Sequence, residues 1–184
     1  MPLNFIETHT GAKFEPLDPS IELIRIQDIA HALSQQCRFS GHTSVFYSVA
    51  EHSVRVSRLL EEWGADPVTV LWGLLHDASE AYLVDIPSPL KRSPAFASYR
   101  EAEAGLMRMI CARFGLPGIE PADVRRADAV LLATEARSLM PFVPDHWGGL
   151  TEAALGQDII PWPSEFAKRE FVNRFVRFAR YGRV

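Results

Sequence analysis

Four ionisable side chains interrupt helix faces that are otherwise apolar. Positions 45, 49, 52, 56, 59 and 63 step by four and three, so they share one stripe of a helix. Five of them are Val45, Val49, Val56, Leu59 and Trp63, and the sixth is His52. An apolar run from Val68 to Leu75 ends in His76-Asp77-Ala78-Ser79-Glu80, and Val124, Asp128, Leu131, Glu135 and Leu139 form a third stripe. A single histidine on such a face is commonly a core residue bonded to a carbonyl, and a single inward aspartate is often a helix cap. Their coincidence carries more weight, because a carboxylate buried without a partner is strongly unfavourable. Two imidazoles and two carboxylates directed inward from three helical segments compensate one another best around a divalent cation. Two nitrogen and two oxygen donors suit a borderline metal, with waters completing its coordination. His76 and Asp77 are neighbours and point about 100° apart, so they can share an ion only at its edge. Glu80 lies one turn beyond His76, within reach of a water on that ion.

Helices must position these groups, and the chain supplies them. Residues 1–24 read as an appendage, in which Phe5-Ile6-Glu7 and Lys13-Phe14-Glu15 flank Thr10-Gly11 as a short hairpin. Asp28 caps a short helix through Leu33, and Ser40-Gly41-His42-Thr43-Ser44 is a turn before a long helix over 44–62. Asp66-Pro67, a capping carboxylate with proline at the first helical position, opens a helix to Tyr82. Asp85-Ile86-Pro87-Ser88-Pro89 breaks it, and further helices fit 95–114 and 121–139. Residues 141–163, rich in Pro, Gly, Asp and Trp, read as a loop before a helix from Ser164 that carries Phe171, Phe175 and Phe178 on one side. The expected fold is all-α, one domain with its core over 25–140 and residues 141–184 packed on it.

Composition narrows the function classes. The 184 residues are 47% hydrophobic and 23% charged, a globular balance that excludes disorder and collagen. A net charge of −4 offers no general attraction to long nucleic acid. Cys37 and Cys111 are too few for a disulfide framework, which favours a reducing cytoplasm. No apolar run approaches the roughly 20 residues of a membrane span. Trp147, Trp162 and the C-terminal phenylalanines leave apolar area for a homodimer.

The order His52…His76-Asp77…Asp128 resembles the H…HD…D signature of the HD-domain metal-dependent phosphohydrolases. Ser48-Val49-Ala50-Glu51-His52-Ser53 looks like the setting of their first histidine. Leu74-Leu75-His76-Asp77-Ala78-Ser79-Glu80, followed by Asp85-Ile86-Pro87-Ser88-Pro89-Leu90-Lys91, is similar to the second block of the 5′-deoxynucleotidase-like (YfbR/YfdR-like) branch. Arg38-Phe39 matches an Arg-aromatic pair ahead of the first histidine, and Asp128 with Leu132-Ala133-Thr134-Glu135 looks like the closing block. The His52–His76 separation of 24 residues is shorter than in the dedicated nucleotidases, and residues 1–24 and 141–184 lie outside the match.

The resemblance implies an HD-domain helical bundle holding one divalent ion (Mn, Co, Fe, Ni, Zn or Mg) through His52, His76, Asp77 and Asp128. It implies hydrolysis of a phosphorylated small molecule, a deoxynucleoside 5′-monophosphate first. Glu80 would take or relay a proton, and Asp85 would position the water or protonate the leaving oxygen. Arg38 suits a two-pronged grip on phosphate, Lys91 a second point charge, and Phe39 an apolar wall. His42 is the rival to His52 as ligand and otherwise a phosphate donor. Glu135 is expected to pair with Arg137 or Arg38. Three alternatives stay open: triphosphate or pyrophosphate release from a dNTP, cyclic phosphodiester hydrolysis, and a non-catalytic regulatory protein that binds metal and nucleotide.

Overall fold

Residues 4–141 and 155–182 are described by a computed structural model, and among them helices dominate. A two-stranded antiparallel hairpin, β1 (Ile6–Glu7) and β2 (Lys13–Phe14), precedes α1 (Ile26–Gln35), α2 (Val49–Glu62), α3 (Pro67–Leu75), α4 (Glu80–Leu83), α5 (Ser88–Lys91), α6 (Ala97–Arg113), α7 (Ala122–Leu139) and α8 (Ser164–Ala179). The all-α fold is as expected. His146 and Trp147 fall outside the described residues. No helix among the described residues is long and apolar enough to cross a membrane.

Helix α2 is the axis of the core, packed on by α1, α3, α7 and α8. It begins five residues later than the 44–62 reading, because the Ser48 side chain accepts the Glu51 amide and caps it there. Ser44 is instead held in a loop by the Leu139 carbonyl, which takes both its amide and its hydroxyl. Val45 is therefore 53% exposed, and Trp63, the residue that closes α2, is 40% exposed with the Arg126 guanidinium over its ring. Both ends of the apolar stripe lie outside the core, and its middle, with His52, lies inside.

The helix from Asp66 also differs from expectation. Asp66 caps it through the Val68 and Thr69 amides, but α3 stops at Leu75. Beyond it the chain tightens into turns in which Ala78 donates to the Leu75 carbonyl and Glu80 to that of Asp77. Asp28 does not cap α1. It sits inside the first turn and accepts the amide and hydroxyl of Thr10 at 2.7 and 2.9 Å, fastening the hairpin to the body. Phe171 and Phe178 are buried, whereas Phe175 stands edge-on to Phe114. Trp162 is half-buried, with the Arg55 and Arg58 guanidinium groups over its ring and Phe166 edge-on to it.

Gly73 lets α3 lie directly on α2, since a Cβ there would collide with the end of Leu60. Its carbonyl also accepts from His76 Nδ1 at 2.8 Å. Gly73→Ala is expected to cost about 1–3 kcal/mol by overpacking. Urea titration should show a lower midpoint at unchanged m-value.

Candidate metal centre

Three helical segments bring the ionisable residues together. His52 comes from the buried middle of α2, His76 and Asp77 from the tight turn after α3, and Asp128 from the first half of α7. The imidazole Nε2 atoms of His52 and His76 stand 3.2 Å apart. Asp77 Oδ2 lies 3.2 Å from His76 Nε2 and 3.8 Å from His52 Nε2. Asp128 Oδ1 lies 3.1 Å from His52 Nε2. Two donors each about 2.1 Å from one ion stand roughly 3.0–3.4 Å apart for angles between octahedral and tetrahedral. His52, His76 and Asp77 form a group that could hold a metal ion; Asp128, the fourth expected ligand, meets His52 but is not part of that group.

The two imidazoles are fixed from behind. His76 Nδ1 donates to the Gly73 carbonyl, so its Nε2 faces the cluster. His52 Nδ1 meets Glu135 Oε1 at 2.6 Å. Glu135, fully buried on α7, also accepts from the Tyr47 hydroxyl at 2.9 Å and from Arg38 Nε at 3.2 Å. A carboxylate that orients a ligating imidazole is a common support of metal sites. Of the two partners expected for Glu135, Arg38 is the one found; Arg137 turns away to Asp158 and the Gln157 carbonyl.

Asp77 and Asp128 line a cleft of about 790 Å³ together with Arg38, Glu80, Asp85 and Lys91 among others, and the two imidazoles lie buried behind them. Phe39 and His42 line it too, with His42 on the exposed rim and outside the cluster. Arg38 Nη1 reaches Asp77 Oδ2 at 3.5 Å, which leaves its second terminal nitrogen uncommitted among the described residues. Lys91 is less free than the sequence suggests: its ammonium pairs with Glu103 at 2.7 Å and Glu80 at 3.4 Å. Glu80 Oε2 is buried and has no hydrogen-bond partner among the described residues. Three non-glycine residues with left-handed backbone flank this cleft: Phe39 (φ 54°), Ser40 (φ 52°) and Val84 (φ 73°). Such conformations each cost on the order of 1–3 kcal/mol and persist only where surrounding bonds hold them. Here Arg38 donates its amide to the Tyr47 carbonyl, and Tyr99 donates its hydroxyl to that of Val84.

Charge in the cleft is arranged in opposition. Burial pulls the His76 pKa down, but the charge and hydrogen bond of Asp77 outweigh it and push it up to about 10. Burial alone would raise Asp77, yet His76, His52 and Arg38 hold it well below the carboxylate range. Asp128 is likewise held low, against burial, by His52 and His76. Glu80 moves the other way: burial and the charges of Asp77 and Asp85 push it up to about 9. Asp85 is raised by burial despite Arg38.

Residues that escaped the sequence reading complete the frame. Gln36 bridges the Glu80 carbonyl and the Asp85 amide at 3.0 and 3.1 Å, clamping the two carboxyl-bearing segments together. Tyr47 and Glu103 are the others. None carries a periodic or motif signal, because each acts through a contact distant in sequence.

No protein-family model matches the chain. It is 37% identical over 143 residues to an uncharacterized protein of Rhodobacter capsulatus, covering 72% of this chain and 71% of that one. It is 42% identical over 175 residues to an Escherichia coli (strain K12) protein that bears the name Uncharacterized protein YfdR, and 94% of each chain is covered. The chain belongs to the YfdR family.

Proposed function

We propose that this chain is an HD-type metal-dependent phosphohydrolase acting on a nucleotide, with a deoxynucleoside 5′-monophosphate as the first candidate. One divalent ion (Mn, Co, Fe, Ni, Zn or Mg) would be held by His52, His76, Asp77 and Asp128. One observation carries the reading: two imidazole nitrogens 3.2 Å apart meet Asp77 and Asp128, the carboxylates that line a cleft also holding Glu80 and its unpartnered buried oxygen. Such an ion, when bound, activates water and neutralises phosphoryl charge. The remaining work falls to the protein's own groups. Glu80 takes or relays the proton of the attacking water, and Asp85 orients that water or protonates the leaving oxygen. Arg38 presents its uncommitted nitrogen to phosphate, and Lys91 adds charge from the same wall. Phe39 gives the base or sugar an apolar surface. A protein that only sensed a nucleotide would have no use for a buried carboxyl with an idle oxygen, which favours the enzymatic reading.

Metal analysis of the purified protein, with a panel of dNMPs, NMPs and dNTPs scored for inorganic phosphate against triphosphate, tests this. One ion per chain and phosphate released from dNMPs are expected. Triphosphate released from dNTPs would move the assignment to a triphosphohydrolase, and a metal-free protein inert across the panel would end it. Arg38→Lys should raise KM for the phosphorylated substrate about tenfold, roughly 1.4 kcal/mol, because lysine cannot keep Glu135 and still reach phosphate. An unchanged KM would place the phosphate elsewhere.

A further inference from the structure

Helix α6 meets the body along one side. Leu106, Ile110 and Cys111 enter the core, while Arg100 and Glu103 brace the residues around Lys91. The opposite side carries no other helix among the described residues. Ser98, Glu101, Gly105, Arg108 and Ala112 follow one another at intervals of three, four, three and four, the spacing of a seam between two helices. All but Gly105 are exposed, and Gly105 is half-buried. Around the missing Cβ of Gly105 the nearest atom is a movable one, the Arg108 guanidinium at 3.7 Å. Glu101 and Arg108 make no ion pair or hydrogen bond among the described residues, whereas Arg100 and Glu103 on the same helix are both partnered.

The seam has a centre. Gly105 is the midpoint of Ala97–Arg113, and Glu101 and Arg108 stand on either side of it. If a second α6 lay parallel on the first, Glu101 would face Glu101 and Arg108 would face Arg108. Laid antiparallel, each Glu101 faces an Arg108, twice, and each Ser98 faces an Ala112. The small side chains at 98, 105 and 112 let the two backbones approach. Glu101, Gly105, Arg108 and Ala112 form one wall of a groove of about 430 Å³ whose other wall is residues 16–21, with Leu17 82% exposed. That second wall extends the contact beyond one helix.

We propose that the outer face of α6 joins two copies of this chain, antiparallel about a two-fold axis at Gly105. The interface is self-complementary in charge: what one Glu101 needs, the partner's copy of Arg108 supplies. Because the inner side of the same helix braces Lys91 through Glu103 and Arg100, the dimer contact also stiffens the cleft wall from behind.

Charge reversal tests the proposal without identifying any ligand. By sedimentation equilibrium the wild-type protein should have twice the 20.6 kDa mass of the chain. Glu101→Arg places arginine against arginine, Arg108→Glu places glutamate against glutamate, and each variant alone should sediment as a monomer. Mixed in equal amounts, the two should form a heterodimer, since every facing pair is then opposite in charge. Recovery on mixing also shows that both variants are folded. A wild-type protein that is monomeric at its highest soluble concentration overturns the proposal. So does a dimer indifferent to both reversals, or a pair of monomeric variants that fail to associate when mixed.

Discussion

Glu80→Gln should leave metal content unchanged and lower turnover by about 10²–10⁴-fold, the usual worth of a positioned proton-transfer group. Three features of Glu80 support this expectation. Its side chain is buried at the cleft, one oxygen meets only Lys91 at 3.4 Å, and the other has no hydrogen-bond partner among the described residues. Burial with Asp77 and Asp85 nearby pushes its pKa up to about 9, so at neutral pH the ion-free protein holds it as a neutral carboxyl, and it can take a proton only once a bound cation has lowered that pKa. Glutamine copies that neutral form in size and hydrogen bonding, and the fold should tolerate it. A loss of turnover is then a loss of proton transfer. The contrast is Asp77→Ala, which removes a proposed ligand and leaves His76 without the carboxylate that faces it, so metal and turnover should vanish together. Metal analysis beside kinetics separates the two, and a fully active Glu80→Gln protein would take the proton-transfer role away from this residue.

The proposed ligands are legible in the sequence because they break a regular pattern. Asp128 and Glu135 stand out on α7 since that helix runs unbroken and its apolar positions recur as a helix requires. The same logic misreads the ends of α2. Val45 and Trp63 fit the stripe by spacing, but the Ser48 cap starts the helix after Val45, and Trp63 closes it half in solvent. Helix α3 reads as running to Tyr82 because nothing local stops it. Its end at Leu75 accompanies a tertiary arrangement in which His76 folds back on the Gly73 carbonyl to face His52. Asp28 has the residue type of a cap but serves the hairpin, a partner 18 residues away. Tyr47 and Glu103 leave no trace, since their roles depend on which chain segments meet: Tyr47 on Glu135, 88 residues on, and Glu103 on Lys91. Periodicity finds which face of a helix is unusual. It does not find what supports that face from behind.

Metal loading should be steeply dependent on pH. In the ion-free protein Asp77 pushes the His76 pKa up to about 10, while Asp77 itself is held well below the carboxylate range. At neutral pH His76 therefore carries a proton in the region where the cluster's donor atoms meet, 3.2 Å from His52 Nε2. An ion needs the lone pair that this proton occupies, so binding must release it. Each proton released makes affinity rise about tenfold per pH unit, so the His76 proton alone gives a rise from pH 7 that levels off near pH 10. Burial and Arg38 lower the His52 pKa, but Glu135 and Asp128 outweigh them and raise it, which adds to that slope. Stability of the ion-free protein has the opposite slope. Because the folded His76 pKa lies above the ordinary 6.5, the contribution of its pair with Asp77 is fully present below 6.5 and declines as pH rises through about 10. At the acid end the same pair fails when Asp77 is protonated, so its window lies between the strongly lowered Asp77 pKa and the raised one of His76. Raising the pH from 7 to 10 should thus weaken the ion-free protein locally while increasing the Tm gain from added metal. Titration calorimetry in two buffers of different ionisation enthalpy gives the number directly, and at least one proton released per ion at pH 7 is expected. A value of zero would mean that the ion leaves the His76 nitrogen untouched, and that the two imidazoles do not share it.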